Sequence, residues 1–194
     1  MGTILMGIGI ETVVIANQGF DSISTLILGL MNHSTIPFGR WSQIISLLFL
    51  LISFLYNHRM LGIGSIINTL LVGEIINITA SMINSITFFH NNLIITLLGF
   101  ILIALGTAVY LTGGLGSGPL EGIMFCICDL FDVSLQKGRI TMDFIIVVSG
   151  FFLGGVVGIG TLFAIFLLGP MIQLFLSFIK IISIDNVDSK VKVK

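Results

Sequence analysis

Glu121 closes the stretch Leu-Thr-Gly-Gly-Leu-Gly-Ser-Gly-Pro-Leu-Glu-Gly, residues 111–122, so a carboxylate arrives directly after a run of glycines. Backbone carbonyls freed by such a run, beside a carboxylate on a half-helix, form a donor set suited to a cation. Further on, Arg139 and Asp143 stand four positions apart, the spacing of an ion pair across one helical turn. Upstream, Glu74, Asn77, Ser81 and Asn84 recur at i, i+3, i+7 and i+10, which puts them on one helix face. This is the chemistry of holding an ion or a small polar solute. The candidate binding residues are therefore Glu121, Glu74, Asn77, Asp143 and Arg139, with Gly114, Gly116 and Gly118 of the glycine run. Each also admits a structural role: Glu121 as a cap for its own helix, Arg139 and Asp143 as a local pair, the Glu74 stripe as an interhelical hydrogen-bond seam.

Bond-making chemistry has no such residues. No nucleophile–base pair is visible, and His33, His58 and His90 do not cluster, so an enzyme is not expected. Cys126 and Cys128 are too few to ligate zinc, and no metal or cofactor is expected. The Gly-x-Gly-x-Gly at 114–118 is not a dinucleotide fingerprint, because no soluble strand precedes it and Pro119 breaks the usual spacing.

The elements that must position these residues lie in a membrane. The 194 residues are 56% hydrophobic and 9% charged, against about 25% charged in soluble domains. Mean hydropathy is +1.17. A net charge of −1 argues against a nucleic-acid partner. No basic region precedes the first apolar run and no small-x-small site follows it, so a removable signal peptide is not expected. Apolar runs of about 20 residues predict spans over about 3–18, 40–57, 62–83, 93–112, 139–157 and 158–181. Between them, Asn17, Gly19 and Asp21 break the first span before a short helix over 22–33, and the glycine run precedes a second short helix over 119–131. Both are too short to cross and read as re-entrant or interfacial. Residues 183–194 form a polar tail. Glu11 lies within the first span, either packed in the bundle interior or near a helix end, or as an ion or proton site. Ser42, Ser46, Ser53 and Asn57 make a small-polar packing stripe on the second span. Lys/Arg bias puts both termini in the cytoplasm with Arg59, Lys137, Arg139, Lys180, Lys190, Lys192 and Lys194, leaving Arg40 outside.

The two halves repeat. Gly7-Ile8-Gly9 and Gly19 correspond to Ala104-Leu105-Gly106 and Gly116, Gly39-Arg40 to Gly138-Arg139, and Gly62-Ile63-Gly64-Ser65 to Gly158-Ile159-Gly160-Thr161. Gly62, Gly64, Gly158 and Gly160 read as helix-packing glycines. Residues 1–84 and 93–182 thus form two units of three spans, and an odd number inverts the second copy in the bilayer. The predicted fold is an all-α polytopic membrane protein of about six transmembrane helices, as two inverted three-helix repeats, each with a glycine-broken short re-entrant helix. Eight parallel-repeat spans would need the stretch 23–31 to cross, for which it is too short.

Gly-Leu-Gly-Ser-Gly-Pro-Leu-Glu-Gly (114–122), Gly-x-Trp-Ser (39–42), Leu-Gly-Ile-Gly-Ser (61–65), Arg139 with Asp143, and Val-Gly-Ile-Gly-Thr-Leu…Leu-Gly-Pro (157–170) resemble the YczE/YyaS/YitT-type bacterial membrane proteins, most closely the YczE-like branch. The resemblance implies a multi-pass protein of the bacterial cytoplasmic membrane, from a largely uncharacterised family in which transport is often suspected. The first break departs from the family pattern, reading Ser22-Ile23-Ser24 where Pro-Trp-Asp is usual. Asn77 replaces a common Asp, and Glu11 and Glu74 replace apolar residues. The expected function is a small-solute or ion transporter or channel with its site between the repeats. The alternatives are a non-transporting scaffold for a membrane partner protein, which would work through the Lys137/Arg139 loop and basic tail, and the substrate-binding subunit of a vitamin importer. The expected partners are the lipid bilayer, a small solute or ion, and a second copy or a membrane protein.

Overall fold

The computed structural model describes residues 1–58, 61–83 and 92–191; Arg59, Asn84, His90, Asn91, Lys192 and Lys194 lie outside them. The described elements are helices: α1 (Gly2–Ala16), α2 (Ser22–Met31), α3 (Phe38–Asn57), α4 (Ile63–Ile83), α5 (Leu93–Thr112), α6 (Pro119–Phe131), α7 (Leu135–Phe152), α8 (Ile159–Phe163) and α9 (Gly169–Val191). A π-helical turn, Ala164–Leu168, joins α8 to α9. Among the described residues four stretches are long and apolar enough to cross a bilayer: Phe38–Asn57, Ile63–Ile83, Leu93–Thr112 and Ile159–Ile181. The other two predicted spans fall short for visible reasons. Helix α1 has only 15 residues, and α7 carries Lys137, Arg139 and Asp143.

Apolar side chains face outward: Leu55, Ile63 and Phe152 are 76%, 79% and 82% exposed. Polar ones turn inward, with Ser24, Thr25, Ser53, Ser65, Thr96 and Thr161 at 1% or less. Soluble folds do the reverse; here the outer surface meets hydrocarbon, and polar groups satisfy one another inside. The protein is a helical membrane protein.

Helix ends follow residue type. Asn17 adopts a left-handed conformation (φ 49°) and ends α1. Asp21 then caps α2, accepting from Ser24 N. Asn92 caps α5 by accepting from Ile94 N and Ile95 N. Pro119 opens α6, where its missing N–H is harmless.

Contact registers give each helix its sense. Gly2 faces Gly106 and Tyr110, whereas Gly9 faces Gly99 and Ile103, so α1 and α5 are antiparallel. Bare backbones meet there: a Cβ at Gly9 would lie 2.8 Å from Gly99 O, and one at Gly99 2.9 Å from Gly9 O. Helices α3 and α4 are antiparallel, with Gly39 N donating to Asn77 Oδ1 and Gln43 Nε2 donating to Leu70 O. Helix α2 runs parallel to α7, from Ser22 against Asp143 to Gly29 against Leu153. Helix α6 runs parallel to α3, from Gly122 against Ser53 to Asp129 against Tyr56. The start of α4 packs on Leu115, just past the end of α5, so α4 and α5 are antiparallel.

With α7 turning back along α6 after a three-residue connection, Gly138 against Cys128, these registers make α2 continue in the sense of α1, and α6 in that of α5. The short helices, predicted as re-entrant, do not turn back. Gly19 and Gly116, at φ 113° and 119°, supply the left-handed backbone of the two breaks. Each broken pair is one discontinuous helix.

The breaks lock into the opposite half. Gly160 N donates to Gln18 O at 2.8 Å, and Gly64 N donates to Leu115 O at 3.1 Å. Thr161 Oγ1 accepts from Phe20 N at 3.0 Å, and Ser65 Oγ donates to Ser117 O at 2.6 Å. The Gly-Ile-Gly-Ser/Thr motifs therefore receive loop backbone rather than a neighbouring helix. The predicted helix-packing glycines Gly62, Gly64, Gly158 and Gly160 contact Leu115, Gln18 and Gly19.

Candidate functional site

The two breaks aim the N-termini of α2 and α6 at one interior cavity of about 90 Å³. Asp21 and Ser24 enter its wall from α2, Asn68 and Thr69 from α4, Glu121 from α6 and Arg139 from α7. Most of the remaining wall is apolar, including Ile27, Phe38, Val72 and Ile103.

Arg139 organises the charge. It is 9% exposed, and its Nε donates to Asp143 Oδ2 at 2.8 Å. Its Nη1 lies 3.7 Å from Glu121 Oε1, a looser contact. Asp143, 3% exposed, also accepts from Ser22 Oγ at 2.5 Å. Both its oxygens are thus committed, as a carboxylate out of water requires. Asp21 differs. It accepts from Ser24 N at 3.3 Å and from Ser24 Oγ, and no cation lies within ion-pair distance of it among the described residues. Glu121 folds back so that its carboxylate lies against Gly118, in the place a β-carbon there would take. Asn68 Oδ1 and Thr69 Oγ1 are buried without a hydrogen-bond partner among the described residues. Each of these residues is 2% exposed.

A second cavity of about 400 Å³ lies between α5, α6, α7 and α9, next to the π-helical turn. Glu121 and Arg139 line both cavities. Their 3.7 Å contact stands between the two spaces.

Of the residues predicted from sequence, Glu121, Arg139 and Asp143 come together. Glu74 and Asn77 do not join them. Arg40 Nη1 pairs with Glu74 Oε1 at 2.7 Å with both side chains about half exposed, Gln43 Nε2 donates to Glu74 Oε1, and Asn77 accepts from Gly39 N. That stripe is a seam between α3 and α4. Gly116 and Gly118 shape the second break, while Gly114 (φ 64°) has open space around it. Glu11 is buried on α1, away from both cavities. Asp21, Asn68 and Thr69 escaped sequence reasoning as site residues. Asp21 reads as a helix breaker. Ser65, Asn68 and Thr69 stand at i, i+3 and i+4, the pattern that drew attention to Glu74, but without a charge to mark it. Ser42 and Ser46 line the cavity, whereas Ser53 of the same stripe packs against α6.

Sequence comparison places this arrangement among known chains. An uncharacterized protein of Haemophilus influenzae is 32% identical over 90% of this chain and 80% of its own length. The uncharacterized membrane protein YczE of Bacillus subtilis is 26% identical over 89% of this chain and 80% of its own. The uncharacterized protein YyaS of the same organism is 24% identical over 93% and 91%. No solved structure matches. The pattern of a family of unknown function, DUF6198, matches residues 1–177. The chain belongs to that family, beside the YczE-like membrane proteins.

Proposed function

We propose that the protein moves a small solute or ion across the bacterial cytoplasmic membrane, through a site enclosed between two inverted repeats. The supporting observation is the interior cavity, lined by both half-helix N-termini and by Glu121 and Arg139, with Asp143 holding Arg139 from outside the wall. In this reading α1–α2, α3 and α4 make three passes, and α5–α6, α7 and α8–α9 repeat them upside down. The antiparallel α1–α5 contact supports inversion, because a two-fold axis lying in the membrane plane reverses every helix. The reciprocal docking of each break on the other half supports it too. Six passes leave both termini on one side, the cytoplasm by the charge bias. Arg139 carries no weight in that bias, being buried in the site. A scaffold would carry its carboxylates on the surface, whereas Asp143 is 3% exposed.

The test is two-sided accessibility. With Cys126 and Cys128 replaced by alanine, Thr69→Cys is exposed to a membrane-impermeant thiol reagent in right-side-out and in inverted vesicles. Transport requires labelling from both faces. Labelling from one face only, or from neither, overturns the proposal.

A further inference from the structure

The chemistry of the cavity wall identifies what it holds. Two carboxylates of the wall, Asp21 and Glu121, and a third off the wall, Asp143, stand around one guanidinium, Arg139. The N-termini of α2 and α6 each add about half a positive charge. The sum is close to one uncompensated negative charge in a narrow, mostly apolar space, an expensive state unless a cation joins it. Asp143 is not the free charge, since Arg139 and Ser22 occupy its two oxygens. Asp21 is, with Ser24 the one residue donating to it among the described residues. The same wall carries two more residues with oxygens in need of a donor, Asn68 (Oδ1) and Thr69 (Oγ1).

A bare metal ion fits poorly. Among the described residues no group of three or more His, Cys, Asp or Glu side chains is placed to hold one. Beyond the charged groups and acceptors, and the hydroxyls of Ser42, Ser46 and Thr107, the wall is apolar, with Ile27, Phe38 and Val72. The space of about 90 Å³ is smaller than the roughly 150 Å³ that admits benzene.

We infer that this cavity binds a small organic monocation, a primary ammonium head on a short alkyl body, with Asp21, Asn68 and Thr69 accepting its three N–H bonds. An ammonium offers three donors and no acceptor, matching a wall that presents free acceptors. The apolar side takes the alkyl part. This rests on the transport reading for its biological use but not for its test.

The test is thermal unfolding of the purified full-length protein in detergent, titrated with ethylammonium chloride, ethanol or sodium chloride, with ionic strength held by a bulky cation. Ethylammonium is expected to stabilise saturably, and the other two are not. Equal stabilisation by ethanol would reduce the cavity to an apolar pocket, and equal or tighter binding of sodium would make it an inorganic ion site; either overturns the inference. Asp21→Asn keeps a helix cap, since Asn caps as well as Asp, and removes the charge. It should weaken ethylammonium binding by about tenfold or more, the value of a charge-assisted hydrogen bond, and unchanged binding also overturns the inference. Thr69→Val, nearly isosteric, should weaken binding less while leaving unliganded stability intact. Vesicle labelling from both faces without ethylammonium binding would sink this inference and spare the transport reading; binding with one-sided labelling would do the opposite.

Discussion

Arg40 and Arg139 each follow a glycine, yet their surroundings set them apart. Arg139 is buried against Asp143 and Glu121, whereas Arg40 and Glu74 are 56% and 45% exposed. Arg139→Met leaves Asp143 buried beside no other ion-pair partner among the described residues. Breaking a buried pair from one side costs about 3–5 kcal/mol. Arg40→Met should cost about 0–1 kcal/mol, as exposed pairs do. Chemical or thermal unfolding in detergent measures both, and equal losses would contradict the assignment of Arg139 to the interior. Glu11 gives the opposite sign. It is 4% exposed with no cation in ion-pair reach among the described residues. Glu11→Gln removes a charge that the interior does not offset, so it should stabilise by roughly 1 kcal/mol or more. A lower melting temperature would show that the carboxylate has a use. Neither contrast is legible in the sequence, where both arginines follow a glycine and Glu11 is one more acid in an apolar run.

At the scale of the element, the breaks and the motifs that receive them carry the architecture. A Cβ at Gly158 would lie 2.6 Å from Gln18 O, and one at Gly160 2.5 Å from Gly19 O. The obstacle is backbone, which cannot swing aside. Gly158→Ala or Gly160→Ala should therefore cost about 1–3 kcal/mol, the range for overpacking, and should unseat the first break. Gly114→Ala meets nothing within 4 Å and bears only the strain of φ 64°, about 1 kcal/mol. The comparison is read in melting temperature and in protease sensitivity near residues 17–21; a Gly114 variant worse than Gly160→Ala would refute it. The breaks themselves were visible in advance, because Gly19, Gly116 and Pro119 stop and start helices through their own backbone preferences. What fills the Gly-x-Gly notches was not. A glycine pair records that something comes close, and a helix is the common occupant in membranes. Here it is the broken segment of the other half. The direction of the short helices was hidden for the same reason: length rules out a crossing, but only contacts such as Ser22 with Asp143 reveal which way the chain leaves the break.

Across the whole molecule, the membrane class follows from hydropathy, and the proposed duplication rests on glycine spacing. The interlocking of the halves follows from neither, since it depends on contacts far apart in sequence. Helix α1 packs on α5, α2 on α7 and α3 on α6, so most of each half's interior surface is the other half. The breaks add reciprocal backbone hydrogen bonds across that interface. Membrane helices associate through such close packing and interhelical bonds rather than through water exclusion. The chain connection between the halves is therefore dispensable once the fold has formed. A flexible protease site inserted between Asn84 and Asn91, cut after purification, should leave two fragments that co-elute and unfold in a single transition within a few degrees of the intact chain. Cutting one link removes only a loop-closure contribution, which varies slowly with length. Gly99→Leu, which drives a large side chain into Gly9 O and Val13, should make the same cut protein separate. Fragments that part without that substitution would mean the halves are independent bundles, and the cavity between them would lose its walls.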